Sequence, residues 1–387
     1  MNRRIFLRNA NMAAVSLAAG GGLLGCVRGR VGAAIGAGAL PVNLPETACH
    51  LPRVRVSAER EIRTVVGLRP FRPSGFRVAK EMVGETAVVH NYGHGGGGIT
   101  LSWGTSKLAV DLGLPGHVGP VAVLGCGAVG LATARLTQEA GFDVTIYTKA
   151  MPPETTSNIA GGQWFPASVY EPGKTLTPEF TQQFVAAAQY GYRRYQIMTD
   201  PKYGIRWMRN YFLSDRPWQP SSDGDMFGSI HDLLPEAKDM SAGTHPFGGK
   251  FVRQFDGMIV EPPIYLPAML TDVRIAGGKV VVREMKSLEE VRGLPERLVF
   301  NCTGLGAKAL FGDEELTPIR GQLTFLVPQP EVTYATSYEN TYMFSRRDGV
   351  LLGGTHEMGD WNLQPDLTTK AAILAKQASL FDGMRDC

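Results

Sequence analysis

Two glycine-rich stretches carry residue types and spacings that can do chemistry. In VAVLGCGAVG (Val121–Gly130) the spacing is Gly125-x-Gly127-x-x-Gly130. The first glycine permits a tight turn, and the second lets a pyrophosphate approach the backbone. A helix opening directly after them supplies free N–H groups and the positive end of its dipole to a phosphate. In VVHNYGHGGGGITLSWGTS (Val88–Ser106) four glycines, Gly95–Gly98, stand between two apolar runs of β type. That composition is not a linker. It suits a backbone that must pass close to something flat or bulky.

The elements around the first motif decide its strength. A short apolar β run, Val121–Leu124, precedes it, and a helical pattern runs from Ala128 to Glu139. Gly141 ends that helix, and a second strand is expected over Val144–Tyr147. Strand, glycine turn, helix, strand is the frame a dinucleotide-binding fold requires. One feature of that frame is missing. The end of the second strand often carries an acid for the ribose hydroxyls, but here it reads Tyr147-Thr148-Lys149. A lysine there favours a 2′-phosphate, which keeps an NADP-linked alternative open.

The bulk numbers describe a globular protein with a sizeable core: 387 residues, 44% apolar and 19% charged. The net charge of +3 comes with no Lys/Arg stripe interleaved with aromatics, so nucleic acid is not an expected partner. No metal site is assigned. The N-terminus differs from the rest. Arg3, Arg4 and Arg8 precede a short Ala/Gly/Leu run, as in a signal peptide, and Arg3-Arg4 followed by Ile5, Phe6 and Leu7 resembles a twin-arginine signal. Leu23-Leu24-Gly25-Cys26 resembles a lipoprotein cleavage box, with simple cleavage further on as the alternative. An exported protein, periplasmic or anchored to a membrane through Cys26, is the expectation. Cys126 and Cys302 sit in apolar contexts that suit buried thiols.

From about Glu61 to Arg385 the chain resembles the D-amino-acid oxidases and their FAD-dependent relatives. The segments that carry the resemblance include VVGLRPFRPSGFRV (Val65–Val78), HNYGHGGGGITLSWG (His90–Gly104), TTSNIAGGQWFP (Thr155–Pro166) and EPPIYLPAML (Glu261–Leu270). They continue through LVFNCTGLGAKAL (Leu298–Leu310), PIRGQLTFLV (Pro318–Val327) and YENTYMFSRRDGVLLGGTHEMGDWN (Tyr338–Asn362). In the usual family order the first two of these come last. The chain therefore looks circularly permuted, with Lys107–Pro120 as the join between the old ends. Cys49 and Cys387 both lie near the new break. In an oxidising compartment a disulfide between them would staple the new ends, against the alternative of two free thiols.

The resemblance implies FAD as cofactor and a D-amino acid as substrate. Arg69 matches the family's carboxylate clamp, where a planar guanidinium fixes position and rotation with two parallel hydrogen bonds. Tyr342 matches the tyrosine that adds a hydroxyl to the same carboxylate, and Tyr338 a second pocket tyrosine. Gly96 would present its carbonyl to the substrate amine, and Phe165 stands where the family often has a polar pocket residue. The implied flavin contacts are Gly125, Gly127, Ala128, Val129, Gly130, Thr148, Lys149, Thr156, Ser157, Gly161, Gly162, Gln163, Met285, Thr303, and the run Gly95, Gly96, Gly97, Gly98, Ile99 and Thr100. A substrate amine that binds neutral needs no general base. No catalytic acid or base is assigned, and His94 is expected to be structural.

The fold expected is α/β: a doubly wound, Rossmann-like FAD-binding domain carrying a smaller α+β substrate domain with a mostly antiparallel sheet. Residues 1–26 would be the signal and 27–58 a flexible leader. The flavin domain would hold 59–174 (a permuted segment 61–106, then the GxGxxG unit 120–174), 262–315 and 348–387, and the substrate domain 175–261 and 316–347. The reaction implied is oxidative deamination of neutral or aromatic D-amino acids, with oxygen or another acceptor. A sarcosine- or glycine-type secondary-amine oxidase and a non-catalytic flavin-binding protein are the alternatives. The oligomeric state is left open, a homodimer being one form considered, as is the role of the aromatic-rich stretch 203–248.

Overall fold

A computed structural model describes residues 49–218 and 228–387. The expected signal and lipidation segment, residues 1–26, lies outside the described residues.

Uninterrupted apolar runs become buried strands, and patterned runs become helices. In chain order the first elements are β1 (Glu61–Phe71), β2 (Arg77–Val83), β3 (Thr86–Tyr92) and α1 (Gly98–Gly113). The expected GxGxxG unit follows as β4 (Val121–Leu124), α2 (Ala128–Glu139) and β5 (Val144–Thr148). Then come α3 (Thr156–Ile159), α4 (Pro178–Ile197), β6 (Ile205–Ser214), β7 (Lys238–Met240) and β8 (Phe251–Val260). The chain continues through α5 (Pro262–Ile275), β9 (Lys279–Val282), α6 (Leu288–Arg292), β10 (Leu298–Asn301) and α7 (Gly306–Phe311). It closes with β11 (Thr317–Leu326), β12 (Tyr334–Tyr338), β13 (Thr341–Arg346), β14 (Gly349–Gly353), β15 (Glu357–Met358) and α8 (Leu367–Asp382).

Two sheets result. The smaller has the order β2-β3-β10-β4-β5-β9, parallel throughout except for β2 at one edge. The larger has the order β1-β11-β14-β13-β12-β6-β8-β7, with β15 beside β11. It is antiparallel apart from the β12–β6 pair. The main core lies between the parallel sheet and α1, α2 and α5. Helix α1 packs directly on α4 because Gly104 has no side chain: a Cβ there would stand 1.9 Å from the Ala187 carbonyl oxygen.

The pairing redraws three expected boundaries. Strands β1 and β14 run through segments assigned to the flavin domain, yet β11 pairs with both, so they belong to the larger sheet. The first half of the expected join, 107–120, is helix: α1 continues to Gly113, and 114–120 connects it to β4. The end of the expected flexible leader is docked. Val54 is buried, the Tyr334 hydroxyl donates to the Pro52 carbonyl at 2.7 Å, and the Arg55 N–H donates to Gln329 Oε1 at 2.8 Å. Cys49 and Cys387 form a disulfide with their Cα atoms 5.0 Å apart.

That disulfide spans 338 residues of sequence. By loop-closure entropy a ring of that size would stabilise by about 6 kcal/mol. Reductant should therefore lower the melting temperature of the wild type by several degrees and leave a Cys49→Ser variant unmoved. Equal shifts in both would contradict the assignment.

Candidate active site

Strand β10 sets the geometry of the site. It pairs in register with β3 on one side and β4 on the other, so that Asn301 lies beside both His90 and Leu124. All three strands therefore release their loops at one level, the carboxyl end of a parallel sheet, where such folds bind ligands. The loop after β3 is the four-glycine run, and the loop after β4 is the GxGxxG turn. Each leads into a helix whose N-cap glycine, Gly97 or Gly127, makes no side-chain cap. The first residues of both helices, Gly98 and Ile99 of α1 and Ala128 and Val129 of α2, line the same cavity. Two helix N-termini thus open on one space.

Backbone must pass backbone closely to build this. Gly125 has φ +103°, and a Cβ there would stand 2.5 Å from the Cys302 carbonyl oxygen. Gly95 has φ +55°, with the Ser168 carbonyl oxygen 1.9 Å from its Cβ position. No side chain fits either place. The glycine run is also tied to β1 by an isolated bridge between Phe71 and His94. This brings the strand that carries Arg69 against the loop.

The cavity has a volume of about 2020 Å³. Single small-molecule sites occupy roughly 300–1,000 Å³, so it has room for a dinucleotide and a substrate together. Of the expected cofactor contacts, Gly125, Gly127, Ala128, Val129, Thr148, Lys149, Thr156, Ser157, Gly161, Gly162, Gln163, Met285, Thr303, Gly95, Gly96, Gly98 and Ile99 line it. Three do not. Gly130 faces the Gly125 carbonyl oxygen, 2.1 Å from its Cβ position, and serves helix–strand packing. Gly97 packs beneath Val169. Thr100 is buried, and its hydroxyl accepts the Phe165 N–H at 3.1 Å. It holds the neighbouring wall segment and forms no part of the wall itself.

Of the expected substrate contacts, Arg69, Tyr342, Gly96 and Phe165 line the same cavity. Arg69 Nη1 donates to the Thr355 carbonyl at 3.2 Å. Its guanidinium lies over Gly321, where a Cβ would stand 2.5 Å from Nη1. No carboxylate among the described residues pairs with it. The Tyr342 ring stacks on Phe344 at 4.7 Å and covers the Gly353–Gly354 turn, its hydroxyl 2.8 Å from a Cβ position on Gly354. Arg69 and Tyr342 therefore reach the same short turn, Gly353 to Thr355, from different strands.

Tyr338 corrects an expectation, because it does not line the cavity. Its neighbours Ser337 and Glu339 do, and alternate strand residues face opposite ways. The Tyr338 hydroxyl donates to Asp215 Oδ2 at 2.8 Å and accepts from Lys250 Nζ at 2.8 Å. Sequence reading also missed wall residues. Phe212, which packs on Phe165 at 5.2 Å, comes from the aromatic-rich stretch, as does Trp218. His356 follows the Gly353–Gly354 turn in sequence. Burial, then the charge of Arg69, lowers its pKa.

A sequence profile of the DAO family, described as FAD dependent oxidoreductase, matches residues 120–387. A D-amino-acid oxidase of Rubrobacter xylanophilus is 30% identical over 277 residues, covering 68% of this chain and 77% of the relative. The chain belongs to the DAO family of FAD-dependent oxidoreductases. A human D-aspartate oxidase is 28% identical over 271 residues, covering 67% of this chain and 75% of that one. Among solved structures, a glycine oxidase from Bacillus cereus superposes with a TM-score of 0.50 at 15% identity, over 68% of this chain and 78% of the other, a likeness of fold.

This DAO-family oxidoreductase uses FAD, and the residues present fit it. Asn91 is fully buried on the cavity wall, and its Oδ1 has no partner among the described residues, as befits an acceptor kept for a bound group. Lys149 stands 3.8 Å from Glu284, so an acid does reach the end of β5, from a neighbouring segment. His94 is structural. Its Nε2 lies 2.9 Å from Thr105 Oγ1, its ring stacks on Phe76, and burial pushes its pKa from 6.5 down to about 3.

That shift has a sign. A group whose folded pKa lies below its unfolded value contributes stability that is full above the unfolded value and lost as pH falls towards the folded one. The unfolding free energy from urea titration should decline as pH falls from 6.5 towards about 3, by up to ~4 kcal/mol from His94 alone. A His94→Asn variant should show a shallower slope. An unchanged slope would assign the loss to other groups.

Proposed function

We propose that this oxidoreductase deaminates D-amino acids with neutral or aromatic side chains. The substrate loses a hydride from Cα and a proton from nitrogen, and water converts the resulting imino acid to the 2-oxo acid and ammonium. Bound FAD supplies the acceptor for the hydride. The observation that carries the reading is the convergence of a guanidinium with no acid partner among the described residues and a tyrosine on one short segment of the cavity wall. Arg69 holds the carboxylate through parallel hydrogen bonds, and Tyr342 adds its hydroxyl, which together fix the orientation of Cα. The Gly96 carbonyl receives the amine. Phe165, packed between Phe212 at 5.2 Å and Phe255 at 6.1 Å, gives the substrate end an apolar wall that favours neutral or aromatic side chains. Relatives named as D-amino-acid oxidases support the D configuration.

We further propose a permuted segment order and export. The matched family region begins at residue 120, yet the upstream β1 and β3 pair with β11 and β10 inside the two sheets. The disulfide joins residues near the two ends of the described chain, as new termini at an old connection would allow. A disulfide also persists in oxidising compartments, which supports export through the arginine-rich leader.

Under anaerobic conditions D-alanine and D-phenylalanine should bleach the visible flavin absorbance, and their L-forms should not. An Arg69→Met variant should retain flavin but lose about 100-fold or more in kcat/KM. Bleaching by sarcosine or glycine alone would favour a secondary-amine oxidase, and bleaching by none a silent flavoprotein.

A further inference from the structure

A buried polar chain runs from the edge of the parallel sheet to the cofactor cavity. Glu81 on β2 is partly exposed, and its Oε1 lies 2.9 Å from Nε2 of His90, which is fully buried on β3. His90 Nδ1 lies 3.1 Å from Asn301 Nδ2, at the end of β10. Asn301 Oδ1 in turn accepts the Thr303 hydroxyl at 2.7 Å and the Thr303 backbone N–H at 3.2 Å. Thr303 lines the cavity.

The proton positions follow from what each group can do. An ionised carboxylate only accepts, so His90 Nε2 donates to Glu81. In a neutral ring Nδ1 then accepts, and it accepts from the Asn301 amide. That turns the Asn301 oxygen towards Thr303 and commits both Thr303 donors to it. Towards the cavity the Thr303 side chain can offer only lone pairs. A phosphate oxygen has no use for a group that only accepts, whereas a hydroxyl does.

We propose that Glu81, His90 and Asn301 are positioning residues that fix Thr303 as a hydrogen-bond acceptor for a hydroxyl group of the flavin, on its ribityl chain or its adenosine ribose. The proposal rests on the reading of Thr303 as a cofactor contact. It makes the polarity of that contact depend on His90. A proton on Nδ1 would oppose the Asn301 amide. The amide would rotate, its NH₂ would face Thr303, and the Thr303 hydroxyl would be released to donate.

Other groups also face His90. Glu81 and Arg77 come from β2 and Asp313 from the turn after α7, while the Tyr92 and Phe311 rings stand edge-on at 5.6 and 4.9 Å. Burial lowers the His90 pKa, Glu81 and Asp313 oppose that, and Arg77 adds to it. His90 is therefore neutral at pH 7.5, where the arrangement above holds.

The test is fluorescence titration of the flavin-free chain with FAD and with FMN, from pH 7.5 to 5. Circular dichroism verifies the fold of each variant. The wild type should bind FAD more weakly as pH falls. Thr303→Val, which keeps the shape and removes the acceptor, should bind about tenfold more weakly at pH 7.5 and lose the pH step. Asn301→Asp, whose carboxylate accepts from both the Thr303 hydroxyl and a protonated His90, should bind more tightly than the wild type at pH 5.5. A ribityl contact predicts that Thr303→Val loses affinity for FAD and FMN alike, and a ribose contact that it loses FAD alone. The proposal falls if Thr303→Val binds both flavins as the wild type does, or if the pH step survives in it. Failure of the wild type to bind either flavin would instead overturn the cofactor reading beneath it.

Discussion

The site depends on the in-register pairing of one short strand. Strand β10 is four residues long, yet it fixes β3 and β4 at the same height, and with them both glycine loops. A slip by one residue would turn its buried side chains to the other face. It would also separate the two helix N-termini that now open on one cavity. Register here is held by more than the ladder. Asn301 bonds to the His90 ring across the β3 pair, and the Cys302 N–H donates to the Leu124 carbonyl across the β4 pair at 2.9 Å. Geometry that serves a cofactor is thus enforced by the same contacts that specify the sheet.

The substrate end is organised differently. Its key group, Arg69, meets no acid among the described residues. Arginines outside the cavity wall do meet acids: Asp313 and Glu315 hold Arg72, Glu357 holds Arg320, and Asp348 holds Arg346. Arg69 is given a carbonyl and a glycine surface instead. Leaving a half-buried guanidinium without a counter-ion costs stability, and the substrate carboxylate proposed above would recover that cost on binding.

What could be read from sequence was whatever depends on neighbours in the chain. The strand, turn and helix over Val121–Glu139 appear where the pattern places them, because apolar runs and glycine spacing are local signals. The helix beginning at Gly98 extends into the expected join because Leu108, Ala109 and Val110 continue its apolar face. Tyr338 was misplaced by a residue-level match that could not see which face of β12 meets the cavity. The docking of residues 52–55 was equally invisible, since it rests on Gln329 and Tyr334, which only the fold brings near. Gly97, Gly130 and Thr100 show a third kind of gap. A motif marks residues that the loop needs, and some of those serve its packing and never touch the ligand.

The bond between Cys49 and Cys387 turns everything between them into a closed ring. In such a molecule a single proteolytic cut does not produce two pieces. It produces one linear chain with different ends, still covalently whole and still the same size on a non-reducing gel. A protein working where proteases are common could be nicked once in an exposed loop and keep both sheets, both glycine loops and its cofactor. Such a closure would also make the position of the termini matter less.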